Sequence, residues 1–360
     1  MRASGLFEVQ SFAEVKVTTF DVDIPTPGNT EILVSVDGSS VNHFDLLWNV
    51  LDSPVAWNVA QAHWKLWHAF PKVLGMDVAG TVVGLGSTAS NFKLGDKVWA
   101  MNARAALWDG RTVAGLAGHA WAPYVAIDSK YAGLMPLTMN FTEAGVLPLV
   151  GQTSLAALKE LGAPWDRQTT VLILGATGGV GHVAVQLAKA MGATTVVATG
   201  SAVNADFVRS LGADHFIDYH TEDWWKSDLV GDFSVDAIFD TVIQEGSGDR
   251  AFQKLKDGGT YLTMCKGIPV CGAPLPSRDT QNSRPTVRAI ALRCLADECA
   301  SSLALDELRS YVDSGLLRVH LDAVVSLQDI SHGIDLLQHH HKVGKIAVAR
   351  NPADDLNVFV

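Results

Sequence analysis

Val171-Leu172-Ile173-Leu174-Gly175-Ala176-Thr177-Gly178-Gly179-Val180-Gly181 is the stretch whose reading decides the fold. Four aliphatic residues, read as a buried parallel strand, run into three glycines spaced three apart: Gly175, Gly178 and Gly181. Val180, Val183, Ala184, Leu187, Ala188 and Met191 then recur at helical spacing. A strand, a glycine turn and a helix in that order suit a dinucleotide pyrophosphate. Small residues let the backbone approach the phosphates, and a helix N-terminus offers unpaired N–H groups to negative charge. Gly175, Thr177, Gly178, Gly179, Val180 and Gly181 are therefore the candidate phosphate-binding residues.

Outward from this stretch, strands and helices alternate. Strands are predicted at 171–174, 195–199, 215–219, 235–242, 260–265 and 287–293, with helices at 180–191, 204–211, 222–229 and 248–256. Gly192 and Gly212 fall where helix C-caps belong, and Thr221-Glu222-Asp223 reads as a helix start. Such alternation means an α/β fold with a doubly wound parallel sheet. The first part of the chain reads differently. Short β-type runs (Ile32–Val36, Val78–Val83, Lys97–Ala100, Tyr124–Ile127), broken by Pro, Gly, Asn and Asp, predict a mostly antiparallel, β-rich domain. Helical stretches at Leu305–Leu317 and Asp329–His341 and a strand at Lys345–Ala349 close the chain. The order fits a dinucleotide domain over 148–297, inserted in a β-rich domain made of 1–147 and 298–360.

With 360 residues, 48% of them hydrophobic, the chain can bury two cores. Its 27 Lys and Arg against 38 Asp and Glu give a net charge of −11, and no basic run interrupts that balance. A nucleic-acid or anionic-membrane partner is not expected. Cys265, Cys271, Cys294 and Cys299 match no zinc-knuckle or CxxC spacing and read as free thiols of a reducing, cytoplasmic setting. Organelle placement would follow if a transit peptide had been removed. No apolar run is long enough to span a bilayer.

Several segments resemble one family, the medium-chain dehydrogenase/reductases. They are Val41-Asn42-His43-Phe44-Asp45, Leu74-Gly75-Met76-Asp77-Val78-Ala79-Gly80-Thr81-Val82-Val83, Gly95-Asp96-Lys97-Val98, Leu147–Thr153, Leu211-Gly212-Ala213-Asp214, Ile217-Asp218-Tyr219 and Gly344-Lys345-Ile346. Within the family the chain resembles the zinc-independent quinone oxidoreductases, and the long insert after Asn42 resembles the branch with the mitochondrial reticulon-interacting reductase. The resemblance implies a Rossmann domain inserted in a GroES-like catalytic domain.

Zinc alcohol dehydrogenases of this family carry Cys at the position of Asn42 and His at that of Met76. Neither an amide nor a thioether is a usual zinc ligand, and the stretch near 88–115 that would form the structural-zinc lobe holds no cysteine. No metal is expected. His63 and His68 do not share a helical face, and His339-His340-His341 ends a predicted helix, where a cationic or polar face is expected anyway.

The second strand ends in Ala198-Thr199-Gly200-Ser201, without the carboxylate that selects NADH through the ribose hydroxyls. The resemblance therefore implies NADPH, with Ser201 and Tyr219 at the 2′-phosphate; Asn204 stands where the family usually has Lys. The bland reading of Tyr219 is a half-buried strand aromatic. The resemblance also places Asn42, Thr153, Val242 and Met264 along the cofactor, with Asn42 the candidate catalytic residue. Without a Lewis acid, quinones and α,β-unsaturated carbonyls are the expected acceptors, because conjugation spreads the developing charge. No side-chain proton donor is visible; Asp45 and Asp77 read as loop anchors, and solvent is the expected proton source. Trp48, Trp57, Trp64, Trp67 and Phe70 of the 46–70 insert either stack on a flat substrate or pack the insert. A zinc alcohol dehydrogenase and a non-catalytic NADPH-binding protein are the competing readings. A homodimer through the last strand of the cofactor sheet is expected.

Overall fold

The computed structural model describes residues 1–6, 17–47, 72–102, 119–264, 275–292, 299–339 and 343–350. The aromatic insert therefore lies outside the described residues from residue 48 on, as do His63, His68, His340 and His341. In chain order the strands are β1 (Arg2–Leu6), β2 (Thr18–Asp21), β3 (Glu31–Val41), β4 (Lys72–Val73), β5 (Asp77–Leu85), β6 (Lys97–Met101), β7 (Tyr124–Asp128) and β8 (Ala132–Leu134). There follow β9 (Thr170–Leu174), β10 (Thr195–Gly200), β11 (His215–Asp218), β12 (Val235–Asp240), β13 (Leu255–Met264) and β14 (Arg288–Leu292), and finally β15 (Leu321–Ser326) and β16 (Lys345–Ala349).

The chain divides into two compact units. One comprises Met1–Gln152, Leu295–Asp313 and Leu321–Val360; the other comprises Thr153–Cys294 and Ser314–His320. In the first, β15-β16-β3-β5-β6-β8 form one sheet, with β7 paired to β3, and a small sheet runs β2-β1-β4. Pairing is antiparallel except between β15 and β16. Along β3 the side chains of Ile32, Val34 and Val36 point inward at period two and meet Val78, Val98, Val125 and Ile127 in the core. From Gly38 to Val41 the alternation stops and every residue is buried. Here the helix Phe141–Ala144 presses on the strand so closely that a Cβ on Gly38 would lie 2.1 Å from the Phe141 carbonyl oxygen. This doubly covered end of β3 leads directly into Asn42.

The second unit carries a six-stranded sheet in the order β11-β10-β9-β12-β13-β14, parallel throughout. Val171 to Leu174 of β9 are at most 2% exposed, as expected of a central strand buried on both faces. The helix Gly179–Ala190 buries the predicted Val183, Ala184, Leu187 and Ala188, and also His182 and Gln186 on its other side. The segment Ser314–His320 of the same unit explains that second face. The Gln186 amide accepts from the Arg318 N–H and donates to the Arg318 carbonyl, at 3.0 and 2.9 Å. The His182 Nε2 accepts from the His320 N–H at 3.4 Å.

Two predicted elements are corrected. Residues 222–229 form no α-helix, only a three-residue 3₁₀ turn at Trp224–Lys226. The backbone is extended on both sides of that turn, at Asp223 (φ −69°, ψ 122°) and at Ser227 (φ −68°, ψ 137°), so no helix continues through it. β12 stops at Asp240 rather than 242, because the Asp240 carboxylate captures the backbone N–H groups of Val242 and Ile243.

Candidate functional site

The cofactor-binding candidates of the second unit gather along one edge of its sheet. The glycine turn follows β9, Ser201 follows β10, Tyr219 follows β11, Val242 follows β12, and Met264 ends β13. Ladder pairing keeps the strand ends level, with Gly200 opposite Asp218 and Asp240 opposite Leu174 and Thr263. Chain order reverses at β9, with β10 on one side and β12 on the other. The carboxyl end of such a switch point is where doubly wound sheets bind ligands.

Each glycine does different work. Gly175 adopts φ +81°, open to glycine without strain, and its N–H donates to Thr199 Oγ1 at 3.0 Å. A Cβ on Gly181 would stand 2.1 Å from the Gly175 carbonyl oxygen, so its absence lets the helix close onto the turn. Gly178 is the N-cap and has an ordinary extended backbone. A Cβ there would meet only the Gly175 oxygen, at 3.6 Å, so the space in front of it is open. With no side chain capping the helix, its first N–H groups face that space. A phosphate-sized anion fits this cradle in both shape and charge. Thr177, Gly179 and Val180 are half-buried beside it, and the Val180 carbonyl accepts from Ser154 Oγ at 3.0 Å. Thr153, the first residue of this unit, is buried on the helix Pro148–Glu160.

At the β10 end, Ser201 starts a 3₁₀ turn without using its hydroxyl as a cap. Tyr219 is 51% exposed, which rules against a half-buried strand aromatic, and its ring lies 4.3 Å from that of His220. One carboxylate does lie near. Asp218 Oδ1 accepts from the N–H groups of Ala202 and His220 at 3.3 and 3.2 Å, which commits it to the local turn.

Asn42 belongs to the first unit and sits in a separate buried polar cluster, itself 6% exposed. Its Nδ2 lies 2.9 Å from Ser40 Oγ, 3.1 Å from Asp45 Oδ2 and 3.1 Å from Asp77 Oδ2. Its Oδ1 accepts from Lys345 Nζ. Lys345 Nζ is also 3.9 Å from Asp77 Oδ2. Asp45 and Asp77 anchor backbone as expected: Asp45 accepts the Asn42 N–H at 2.8 Å, and Asp77 accepts the Leu149 N–H at 2.7 Å. Burial and then the charge of Asp77 push the Asp45 carboxyl up to about 7. Burial pulls the Lys345 ammonium below the usual lysine range, against the pull of Asp77 and Asp45.

This donor set does not fit zinc. Met76 is buried beside Asp77, and among the described residues no group of three or more His, Cys, Asp or Glu could hold a metal ion. His339 is paired with Asp335, at 2.9 Å. Cys299 is disulfide-bonded, which corrects the reading of free thiols; its partner lies outside the described residues. Among the described residues no helix is long and apolar enough to cross a membrane.

Comparison with known proteins agrees with this geometry. Residues 28–138 match the family described as alcohol dehydrogenase GroES-like domain, and residues 179–307 match the one described as zinc-binding dehydrogenase. The human NAD(P)H oxidoreductase RTN4IP1, mitochondrial, is 30% identical over 336 residues, covering 88% of this chain and 81% of that protein. The chain belongs to the medium-chain dehydrogenase/reductase superfamily. Another relative, the chloroplastic NADPH-dependent alkenal/one oxidoreductase of Arabidopsis thaliana, is 28% identical over 91% of this chain and 74% of its own length. The quinone oxidoreductase structure from Coxiella burnetii superposes with a TM-score of 0.74 at 25% identity, covering 97% of this chain and 99% of that one. Against some other curated relatives the match spans only 56–58% of their length.

For a medium-chain dehydrogenase/reductase, the cluster around Asn42 holds residues that sequence reasoning did not single out. Lys345 was visible only as part of a family marker, yet a lysine opening the apolar run Lys345-Ile346-Ala347-Val348-Ala349 signals a buried partner. Asp240 and Tyr261 were missed altogether. Their bond, from the Tyr261 hydroxyl to Asp240 Oδ2 at 2.8 Å, joins two strands and has no local sequence signature.

Proposed function

We propose that this chain is a zinc-independent, NADPH-dependent oxidoreductase that reduces quinones or α,β-unsaturated carbonyls. The observation that carries the proposal is the cradle at Gly178, open in front of an uncapped helix N-terminus. Beside it, Ser201 and the exposed Tyr219 offer hydroxyls, and β10 ends without an acidic residue. The Arabidopsis relative's name supports NADPH and an enone acceptor, and the Coxiella structure's title supports a quinone.

Gly178, Gly179, Val180 and Gly181 would hold the pyrophosphate, and Ser201 and Tyr219 the 2′-phosphate. Thr153, Val242 and Met264 would line the rest. Bound NADPH supplies a hydride, and a conjugated acceptor spreads the resulting charge without a Lewis acid. Asn42 stays in the proposal as a cofactor contact. Its Nδ2 already faces three acceptors within the first unit, so its remaining capacity is to accept through Oδ1, and polarising a substrate oxygen falls to other groups. Protonation of the product falls to solvent. A homodimer formed through β14 completes the reading, as does a cytoplasmic setting, although the Cys299 disulfide counts against strongly reducing surroundings.

The test is a titration followed by turnover. NADPH should bind about tenfold or more tightly than NADH, since hydrogen bonds to a charged phosphate contribute about 1.5–3 kcal/mol. NADPH should then be oxidised by members of a quinone and enone panel. Binding without turnover on the whole panel would favour a binding protein, and turnover that needs added zinc would favour the alcohol dehydrogenase reading.

A further inference from the structure

We infer that the turn Thr241–Ile243 is a preloaded wall of the cofactor site, with Asp240 and Tyr261 as its positioning residues. The inference rests on the NADPH reading above and adds to it two residues and a strained peptide.

The turn lies against the glycine loop within one unit. The Thr241 N–H and hydroxyl both donate to the Leu174 carbonyl, at 3.2 and 2.7 Å. A Cβ on Gly175 would come within 2.6 Å of Thr241 Oγ1 and 2.9 Å of Val242 Cγ2. Val242 leaves 57% of its surface exposed, beside Gly175 at the start of the glycine turn. Ile243 has φ +63°, a region that a β-branched residue occupies only when its surroundings force it to.

The forcing group is Asp240, which is fully buried. Its Oδ1 accepts from the N–H groups of Val242 and Ile243, at 2.9 and 3.0 Å. Its Oδ2 is held from the adjacent strand by the Tyr261 hydroxyl, at 2.8 Å. Burial and the nearby Asp240 charge push the Tyr261 phenol far above its ordinary range, so the hydroxyl stays a donor at every working pH. Tyr261 thus fixes Asp240, Asp240 fixes two amides, and the amides keep Ile243 in its costly conformation with Val242 exposed.

The ligand half that meets this wall follows from topology. Ser201 and Tyr219 lie on the β10 side of the switch point, and the turn lies on the β12 side. A dinucleotide laid across the switch point therefore puts its adenosine 2′-phosphate half on the first side and its nicotinamide half on the second. The turn should contribute to binding of whole NADPH and not to binding of adenosine 2′,5′-bisphosphate.

Calorimetric titration of both ligands tests this. Tyr261→Phe removes only the hydroxyl; it should weaken NADPH about three- to tenfold and leave adenosine 2′,5′-bisphosphate within about twofold. Adding Ile243→Gly to that variant should restore NADPH to within about threefold of wild type, because glycine takes positive φ without a driving force to relax. A merely structural role for Tyr261 predicts neither the split nor the rescue. If Y261F shifts both ligands alike or shifts neither, or if the glycine brings no recovery, the inference is overturned while the NADPH reading stands. Should wild type bind neither ligand, the NADPH reading fails first and takes the inference with it.

Discussion

Asp45 and Lys345 illustrate how one charge can reset a buried cluster. Two carboxylates and one ammonium share the pocket around Asn42, and burial together with the charge of Asp77 disfavours an ionised Asp45. Its pKa of about 7, against 3.8 for an ordinary aspartate, means that between those values the folded chain holds a proton that the unfolded chain has released. Stability therefore falls as pH rises through that window, by a total on the order of 4 kcal/mol, and the loss is complete above it. Asp45→Asn keeps an oxygen for the Asn42 N–H and carries no charge. Its stability relative to wild type should increase from about pH 5 to about pH 8 as the wild-type cost develops. Urea denaturation of both proteins at the two pH values measures the difference. A gap that stays constant would show that Asp45 does not titrate in that window.

The same contrast between what a residue is and what surrounds it governs the elements. The strand, turn and helix from Thr170 to Ala190 were legible because periodicity and glycine spacing are local signals. The same holds for most of the alternation in the second unit and for the short antiparallel strands of the first. The turn at Trp224–Lys226 was not legible, since Thr221-Glu222-Asp223 reads as a helix start while the backbone at Asp223 and Ser227 is extended on either side of a single 3₁₀ turn. The early start of β13 at Leu255 rests on its pairing with Val235, a partner that only the fold supplies. At the site, residues on the glycine turn were readable, whereas Lys345, Asp240 and Tyr261 act through partners tens or hundreds of positions away. Within the glycine turn, two alanine substitutions should part company. Gly181→Ala puts a methyl on backbone atoms at 2.1 and 2.8 Å, so it should lower stability by about 1–3 kcal/mol or more and abolish NADPH binding. Gly178→Ala meets nothing closer than 3.6 Å. Its thermal unfolding should shift by less than about 1 kcal/mol, while NADPH affinity falls about tenfold or more as the methyl enters the cradle. Equal losses of stability in the two variants would refute the open space assigned to Gly178.

At the scale of the whole chain, a net charge of −11 opposes indiscriminate association, so self-assembly needs a surface that pairs specifically. β14 supplies one. Among the described residues it is the last strand of a parallel sheet and its outer edge has no neighbour, and Ala289, Ile290 and Leu292 are only half-buried. Natural sheets blunt such edges with lysines, prolines or bulges, yet the only charged residue within β14 is Arg288, at its start. Pairing with the same strand of a second copy would satisfy the edge and cover those apolar side chains, so sedimentation should show a species of twice 38.4 kDa. Ile290→Lys with Leu292→Lys, which imitates the natural blunting device, should return it to 38.4 kDa while leaving NADPH binding in place. Because both copies are acidic, raising salt should tighten the dimer by screening their repulsion. Weakening by salt would mean that ion pairs hold the copies together, and a wild-type chain found only at 38.4 kDa would remove β14 as an interface.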